Sequence, residues 1–401
     1  MVSATDIAEL PAIHRLWRRL PMRGRRAALA AVGRLLAPRP DRFAPPARPG
    51  IAVAGEFSRL CGLTEAACLT VAGLRHLGHE PRAVDVSWRG PGLAGHVLPP
   101  GAPLIVHINA PDMPAALLRL GTGVARGRKI IGAWAWELPI VPPAWAAGLH
   151  YVHEVWAPSR FTANALEKLL PGRVRVVTPP LAIAPPAPAR LDRAAFGLPA
   201  DAMIVLAAFD LASSFARKNP LAAIAAFRGA FGDDTNCLLL LKIGNPGHFP
   251  DDFATIRAAV AGAANIRLET RSLPRADNHA MMACADIVLS LHRAEGFGLV
   301  LAEAMFLGKP VIATGWSGNL DFMDPSAAVL IRPRLVPAVD PRGVYDIAHT
   351  HWAQPSLGAA MAALRWLAGD DAARAALGAR GQSHAARKLG TESLAAALAG
   401  L

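Results

Sequence analysis

The segment that most restricts the fold is ADIVLSLHRAEGFGLVLAEAMFLGKPVIATGWSGNLDFMD, which covers Ala285–Asp324. The short runs at 286–290 and 311–314 are apolar and rich in β-branched residues, a composition typical of buried parallel strands. Between them, Gly296-Phe297-Gly298 lets the backbone approach a ligand where a helix begins, and Lys309-Pro310 ends that helix. Strands that alternate with helices in this way predict an α/β fold with parallel sheets.

Two glutamates, Glu295 and Glu303, stand eight positions apart in this segment. At a rise of about 1.5 Å per residue, they would lie up to ~12 Å apart along a helix that starts near Glu295. Carboxylates at that distance neither share a proton nor flank one bond, but they can hold the two ends of a long ligand. The other interpretation makes both glutamates surface charges beside a core helix.

The pattern Glu295…Glu303, with GFGLVLA between and AMFLGKPVIAT after, resembles the E-x7-E donor-site motif of GT-B glycosyltransferases, family 4 in particular. The resemblance implies that Glu303 binds the ribose of a sugar nucleotide and that Glu295, as a catalytic residue, binds a hydroxyl of the donor sugar. It also implies that four residues line the sugar and the phosphates: Gly296, Phe297, Gly298 and Leu299.

The implied fold is α/β of the GT-B type, with two Rossmann-like domains facing each other across a cleft and an N-terminal basic helical extension. The chain has 401 residues, of which 53% are hydrophobic, so it can build more than one buried core. The expected parts are a basic extension and proline-rich linker (1–49), an acceptor domain (50–180), a nucleotide-sugar donor domain (181–385) and a C-terminal helix that packs back on the acceptor domain (386–401).

The first domain is expected to open with a strand at Ile51–Ala54, a glycine-containing loop and a helix that runs to about Leu77. The resemblance implies that Gly62, with Leu63 and Thr64, faces the donor diphosphate or the acceptor. The alternative is an ordinary turn followed by a plain helix. A G-x-G-x-x-G fingerprint does not follow this strand, which argues against NAD or FAD.

Aromatic and acidic residues follow another predicted strand, at 129–134. Ligands of open α/β sheets bind at the carboxyl ends of strands, so Trp134 or Trp136 is expected to stack on a sugar ring. Glu137 is expected to act as a catalytic residue that accepts a hydroxyl proton or hydrogen-bonds the acceptor. The alternative places both tryptophans in the core and pairs Glu137 with a nearby arginine. His107 is a candidate for the histidine that many family members place near the transferred sugar.

The second domain is expected to supply positive charge. Arg217 and Lys218 follow a predicted strand at Met203–Phe209, and the resemblance implies that these catalytic cations neutralise the leaving nucleoside diphosphate.

Two further pairs complete the expected donor site. Ser272 and Leu273 lie where family members hold the base of the nucleotide. Ser317 and Gly318 follow a predicted strand and are expected to approach phosphate through backbone N–H groups.

The net charge of +12 predicts anionic partners. Much of the excess is an arginine cluster before residue 34, so a nucleic-acid partner is not expected, whereas an anionic membrane surface would suit a basic amphipathic helix. The alternative is a helical extension packed on the first domain with solvated arginines. The chain lacks a D-x-D triplet, a C-x-x-C pair and an apolar run of about 18 residues. We therefore expect no metal site, free thiols, and a cytoplasmic protein, peripheral on the inner membrane face if the extension binds lipid.

The resemblance implies a retaining, metal-independent glycosyltransferase, of the hexosyltransferase type, with no cofactor beyond its nucleotide-diphosphate sugar. A saccharide or lipid-linked acceptor is expected, in the biosynthesis of cell-surface polysaccharide or another glycan. Two alternatives stay open: a GT-B-fold sugar-nucleotide epimerase or phosphorylase, and a transferase-like scaffold without activity.

Overall fold

The computed structural model describes residues 33, 35–59, 61–87 and 98–401. The basic N-terminal helix predicted from the sequence lies mostly outside the described residues. Residues 38–49 of the proline-rich linker carry no helix or strand. No helix of the described ranges is both long and apolar enough to cross a membrane.

A six-stranded parallel sheet organises the first domain. Its strands are β1 (Ile51–Gly55), β2 (Pro81–Asp85), β3 (Leu104–Val106), β4 (Ile130–Ala133), β5 (Glu154–Ala157) and β6 (Val174–Val176). The strand order is β2-β1-β3-β4-β5-β6. β2 pairs with one side of β1 and β3 pairs with the other side, so the strand order reverses between β1 and β3. Its α-helices are α1 (Gly62–His76), α2 (Met113–Leu120) and α3 (Arg160–Glu167), and 3-10 helices form at Ala110–Asp112 and Pro143–Tyr151. Ligands of such sheets bind beside the reversal point, at the carboxyl ends of the strands.

The second domain contains another six-stranded parallel sheet. Its strands are β7 (Met203–Asp210), β8 (Cys237–Gly244), β9 (Ile266–Glu269), β10 (Ile287–Ser290), β11 (Val311–Thr314) and β12 (Val329–Ile331), in the order β12-β11-β10-β7-β8-β9. β8 is buried over most of its length and β7 over half of it, which suits a sheet covered on both faces by helices. The predicted strands agree closely with those observed: Val311–Thr314 has the predicted bounds, whereas the strand predicted at 129–134 spans Ile130–Ala133.

Helices of different lengths surround the second sheet. They are α4 (Phe215–Lys218), α5 (Pro220–Phe231), α6 (Pro250–Ala259), α7 (Arg275–Cys284), α8 (Leu299–Phe306), α9 (Leu357–Gly369) and α10 (Asp371–Lys388), with 3-10 helices at Ala194–Phe196, Leu211–Ser213, Pro246–His248 and Gly318–Asp321. Pro220 occupies the first turn of α5, as its fixed φ favours. Gly308, with φ +67°, follows the end of α8 and lets the chain turn toward β11.

Two segments of the C-terminal half reach the first domain. An antiparallel hairpin of β13 (Pro333–Pro337) and β14 (His351–Pro355) leaves the second sheet after β12. The last helix, α11 (Glu392–Leu398), buries Leu394 and Ala397 in the same core cluster as Ile51 and Val71. The two domains are therefore joined by packing as well as by the linker between β6 and β7.

Candidate active site between the two domains

Two helix N-termini meet across the cleft. α1 of the first domain begins at Gly62, and α8 of the second domain begins at Leu299. A side-chain carbon built on Gly62 would lie 3.9 Å from Leu299 Cδ1, so the two helix starts are in contact range. Gly298 has φ +102°, a left-handed conformation that costs glycine least, and this turns the chain into α8. The first N–H groups of each helix lack intrahelical partners and carry partial positive charge, so this junction suits an anion.

A buried ion cluster lies beside this junction. Glu295 is 9% exposed, and its carboxylate lies 2.5 Å from Lys218 Nζ and 3.3 Å from Arg217 Nη1. Burial alone would raise the pKa of Glu295, but the charges of Lys218 and Arg217 outweigh it and lower the pKa to about 2. Glu295 is therefore ionised near neutral pH and neutralises the cations in this structure.

Arg217 is more enclosed than the sequence predicted. It is 3% exposed, and its guanidinium donates to the carbonyls of Ser213 (3.1 Å) and Ala294 (2.7 Å). Its Nη2 also lies 3.6 Å from Glu137 Oε1. A guanidinium held on these sides cannot meet a diphosphate without leaving its partners, so the structure does not support the expected direct contact. The side chain of Lys218 is 17% exposed, which leaves Lys218 as the accessible cation of the pair.

The tryptophans after β4 are buried in the first domain, although Trp134 forms part of the wall of the cavity beside α1 described below. Trp134 is fully buried and Trp136 is 4% exposed, and both pack on Trp145 in the core of the first domain. The prediction that either stacks on a sugar is therefore wrong for this structure. The structure agrees with the alternative interpretation for the tryptophans, and Glu137 pairs with Arg217 at 3.6 Å while its side chain stays 19% exposed.

The loop after β10 is supported from behind. Gly318 donates its N–H to the Glu295 carbonyl, and a side-chain carbon on Gly318 would lie 2.2 Å from the Gly296 carbonyl oxygen. Ser317 Oγ accepts a 2.8 Å hydrogen bond from the Glu295 N–H. Ser317 and Gly318 thus hold the loop in place. Contrary to the prediction, the Gly318 N–H is not free to bind a phosphate. The side chain of Phe297 is buried and packs on Phe322, with ring centroids 4.9 Å apart.

A buried histidine adds to this support. His292 places Nδ1 3.0 Å from Ser290 Oγ and Nε2 3.3 Å from Asn319 Oδ1. Burial lowers the pKa of His292 to about 4, although the charge of Glu295 opposes this. The imidazole is therefore neutral near pH 7 and acts as a hydrogen-bonding spacer between strand and loop.

Glu303 lies on the second turn of α8, whereas Glu295 lies in the loop before that helix. α8 begins four residues after Glu295, so the two carboxylates do not lie along one helix. Glu303 Oε1 is 3.5 Å from His279 Nε2. Glu65 of α1 lies close enough for the charge of Glu303 to act on it, and Glu65 also pairs with Arg275 across the cleft at 2.5 Å. No local pattern around Glu303 predicts these neighbours from the other domain.

The predicted base contacts lie in the loop after β9. The Leu273 carbonyl accepts a 3.0 Å hydrogen bond from Asn278 Nδ2, and Lys242 Nζ donates to the Arg271 carbonyl at 2.6 Å. These bonds give Ser272 and Leu273 a defined backbone beside α7.

A small, partly open cavity of about 40 Å³ lies between α1 and the first sheet. Its walls are mostly apolar and include Leu63, Trp156 and Pro179, with His107 at the end of β3. His107 is 5% exposed, and its Nε2 has no partner among the described residues. Burial lowers the pKa of His107 to about 3, so this histidine is neutral near pH 7.

Known proteins share this architecture. Residues 222–346 match the family model described as "Glycosyl transferases group 1". A search among curated protein sequences finds none that matches the chain.

Three solved structures illustrate the likeness. Anabaena Alr3699/HepE, solved with UDP and glucose, is 14% identical with a TM-score of 0.62, over 88% of this chain and 100% of that one. Sucrose-phosphate synthase from Thermosynechococcus elongatus is 16% identical with a TM-score of 0.63, over 88% and 98%. WaaG, a glycosyltransferase involved in lipopolysaccharide biosynthesis, is 17% identical with a TM-score of 0.56, over 86% and 98%.

The structural likeness establishes the GT-B fold, with two Rossmann-like domains. The family match covers residues 222–346 of the second domain, so that part of the chain is similar to group 1 glycosyltransferases.

Proposed function

We propose that the protein transfers a hexosyl group from a nucleotide-diphosphate sugar to a saccharide or lipid-linked acceptor, without a metal and with retention at the anomeric carbon. The observation that carries the proposal is the convergence of two helix N-termini, at Gly62 and Leu299, together with Lys218, which pairs with Glu295 four residues before α8. Backbone N–H groups, two helix dipoles and an ammonium provide the charge that a leaving diphosphate needs. The named relatives include one solved with UDP and glucose, which fits a donor of this class.

Glu295, in the loop before α8, and Glu303, within α8, bind different parts of the donor in this proposal. Glu303 binds the ribose hydroxyls, and Ser272 with Leu273 receives the base. Glu295 meets the donor sugar once the diphosphate competes for Lys218, because a second anion weakens the ion pair between Glu295 and Lys218. Arg217 acts indirectly, since it holds Glu295 and Glu137 in place.

In the transfer step, the anomeric carbon exchanges its bond to the diphosphate for a bond to the acceptor. The bond between the anomeric carbon and the diphosphate oxygen breaks, and the acceptor oxygen bonds to that carbon on the same face. The acceptor proton passes to the departing diphosphate oxygen, while Glu137 hydrogen-bonds the acceptor hydroxyl and orients it. Lys218 and the helix N-termini stabilise the charge that develops on the diphosphate.

The cavity beside α1 is the proposed contact surface for the acceptor. Its mostly apolar walls suit a small apolar group of the acceptor, and the Nε2 of His107 offers one hydrogen bond. The basic N-terminal segment would bring such an acceptor close if it binds anionic lipid, in the biosynthesis of a cell-surface glycan on the cytoplasmic face of the membrane. Co-sedimentation with anionic and neutral vesicles tests this part alone.

Donor binding is the decisive measurement. We expect calorimetry with UDP-, GDP- and ADP-sugars to identify one donor, and Glu303→Ala to weaken its binding at least roughly tenfold through lost hydrogen bonds to a carboxylate. Glu80→Ala, at an exposed position of the first domain, is the matched control and should bind normally.

Metal independence, retention and the reaction class are each tested by a separate assay. Activity that survives EDTA would support metal independence, and NMR of the product anomer reports retention. Normal donor affinity in Glu303→Ala would refute the donor site. Turnover that requires phosphate, or no acceptor at all, would indicate a phosphorylase or an epimerase instead.

A further inference from the structure

We propose that Tyr345 is a positioning residue, supplied by the second domain, that holds Glu137 of the first domain beside Arg217. The inference rests on the proposed function, in which Glu137 orients the acceptor, and it adds a residue that no part of the donor motif contains.

Tyr345 belongs to the bridging hairpin, which we define as residues 333–355, including β13 and β14. Ala338, Tyr345 and Trp352 of this hairpin are buried in the core cluster of the first domain, together with Trp136 and Trp145. A segment of the second domain therefore completes the core of the first. Burial of these side chains removes apolar surface of both domains from water, and this holds the two domains together.

Tyr345 touches both partners of the ion pair. Its ring stacks on Trp136, with centroids 5.2 Å apart and an interplanar angle of 25°. Its hydroxyl donates a 2.9 Å hydrogen bond to Glu137 Oε2, while Arg217 Nη2 lies 3.6 Å from the other carboxylate oxygen. The guanidinium carbon of Arg217 also lies 5.5 Å from the centre of the Tyr345 ring. Both carboxylate oxygens of Glu137 are thus held by groups of the second domain.

The turn that carries Tyr345 is itself fixed. Asp340 is 3% exposed, and its Oδ2 accepts hydrogen bonds from the N–H groups of Val344 (3.0 Å) and Tyr345 (3.1 Å). Its Oδ1 accepts from Ser214 Oγ at 3.3 Å, and Ser214 Oγ in turn accepts from the Arg217 N–H at 3.3 Å. Asp340 therefore links the turn before Tyr345 to the turn before Arg217.

The phenol remains a hydrogen-bond donor near neutral pH. Burial raises the pKa of Tyr345 well above its ordinary value, and Glu137 raises it further, although the charge of Arg217 opposes this. A neutral phenol suits a group that orients a carboxylate but does not exchange protons with the substrate.

The test is Tyr345→Phe, which keeps the stacked ring and removes only the hydroxyl. We expect kcat to fall roughly tenfold, as for the loss of a hydrogen bond to a charged group, while KM for the donor stays close to the wild-type value and Tm falls by only a few degrees. Tyr151→Phe is the matched control, because Tyr151 is the other tyrosine of the chain and is buried in the same core cluster. It should keep the wild-type kcat.

The outcomes separate this inference from the proposed function. If the wild-type protein binds no nucleotide sugar, the proposed function fails and this inference fails with it. If the wild-type protein turns over but Tyr345→Phe has an unchanged kcat, only the inference is overturned. Equal losses of kcat, donor affinity and Tm would mean that Tyr345 only holds the domains together, which also overturns it.

Discussion

Removing the negative charge of Glu295 should destabilise the second domain by a predictable amount. Glu295→Gln keeps the shape of the side chain and mimics its protonated form. The pKa of this carboxyl falls from 4.5 to about 2 in the folded chain, because Lys218 and Arg217 outweigh the effect of burial. At about 1.4 kcal/mol for each pKa unit, the charged form contributes roughly 3 kcal/mol to stability at pH 7. Loss of one partner from a buried ion pair typically costs about 3–5 kcal/mol, which agrees.

The sign of the pH dependence follows from the direction of this shift. A carboxyl whose pKa is lowered on folding contributes its full stabilisation above its unfolded pKa, near 4.5. The contribution disappears as the pH falls through the folded pKa, near 2. Glu295→Gln should therefore be about 3 kcal/mol less stable than the wild type at pH 7, and the gap should close toward pH 2.

Urea unfolding, followed by circular dichroism and tryptophan fluorescence from pH 7 to about pH 2.5, measures this gap. Glu80→Gln is the control at an exposed position and should change stability by less than about 0.5 kcal/mol. The reasoning is refuted by equal urea midpoints for wild type and Glu295→Gln at pH 7. A gap that persists unchanged at the acid end would refute it as well.

Two further substitutions test the packing of the cleft. Gly318→Ala places a carbon 2.2 Å from the Gly296 carbonyl oxygen, so it should displace the loop, destabilise the protein by roughly 2 kcal/mol or more and weaken donor binding in calorimetry. Gly358→Ala, where an added carbon meets nothing within 4 Å, is its control and should be neutral or slightly stabilising; similar losses in both variants would contradict the argument. Arg275→Ala breaks the 2.5 Å pair with Glu65, but the side chain of Arg275 is 45% exposed, so urea unfolding should show a loss below about 1 kcal/mol that shrinks in high salt. A loss of several kcal/mol, independent of salt, would show that this pair is a main contact between the domains.

The local elements were predictable because their signals are short in range. The apolar run before Glu295 predicted β10, and Val311–Thr314 formed with the expected bounds. Gly298 marked the start of α8, since few other residues adopt its left-handed conformation at low cost. These features depend on side-chain period, backbone freedom and chain breaks, all of which are local properties of the sequence.

The roles of individual charges were less predictable. Arg217 and Lys218 are adjacent in sequence, yet one is enclosed by carbonyls and carboxylates while the other keeps some exposure. Trp136 and Glu137 are also adjacent, but Trp136 is buried in the core of the first domain while Glu137 pairs with Arg217. Neighbouring residues in a loop point in directions that depend on what packs around them, and no periodicity in the sequence reports it.

The sequence by itself determined the parallel α/β architecture and the place of Glu295, Glu303 and the glycine loop within it. Only the tertiary structure decided that Glu137 meets Arg217 and Tyr345, which are remote from it along the chain and belong to the other domain. The physical reason is that propensity and hydrophobic period act within about one element. Contacts across the cleft depend instead on how two separately formed sheets dock, and on a hairpin that completes its neighbour's core.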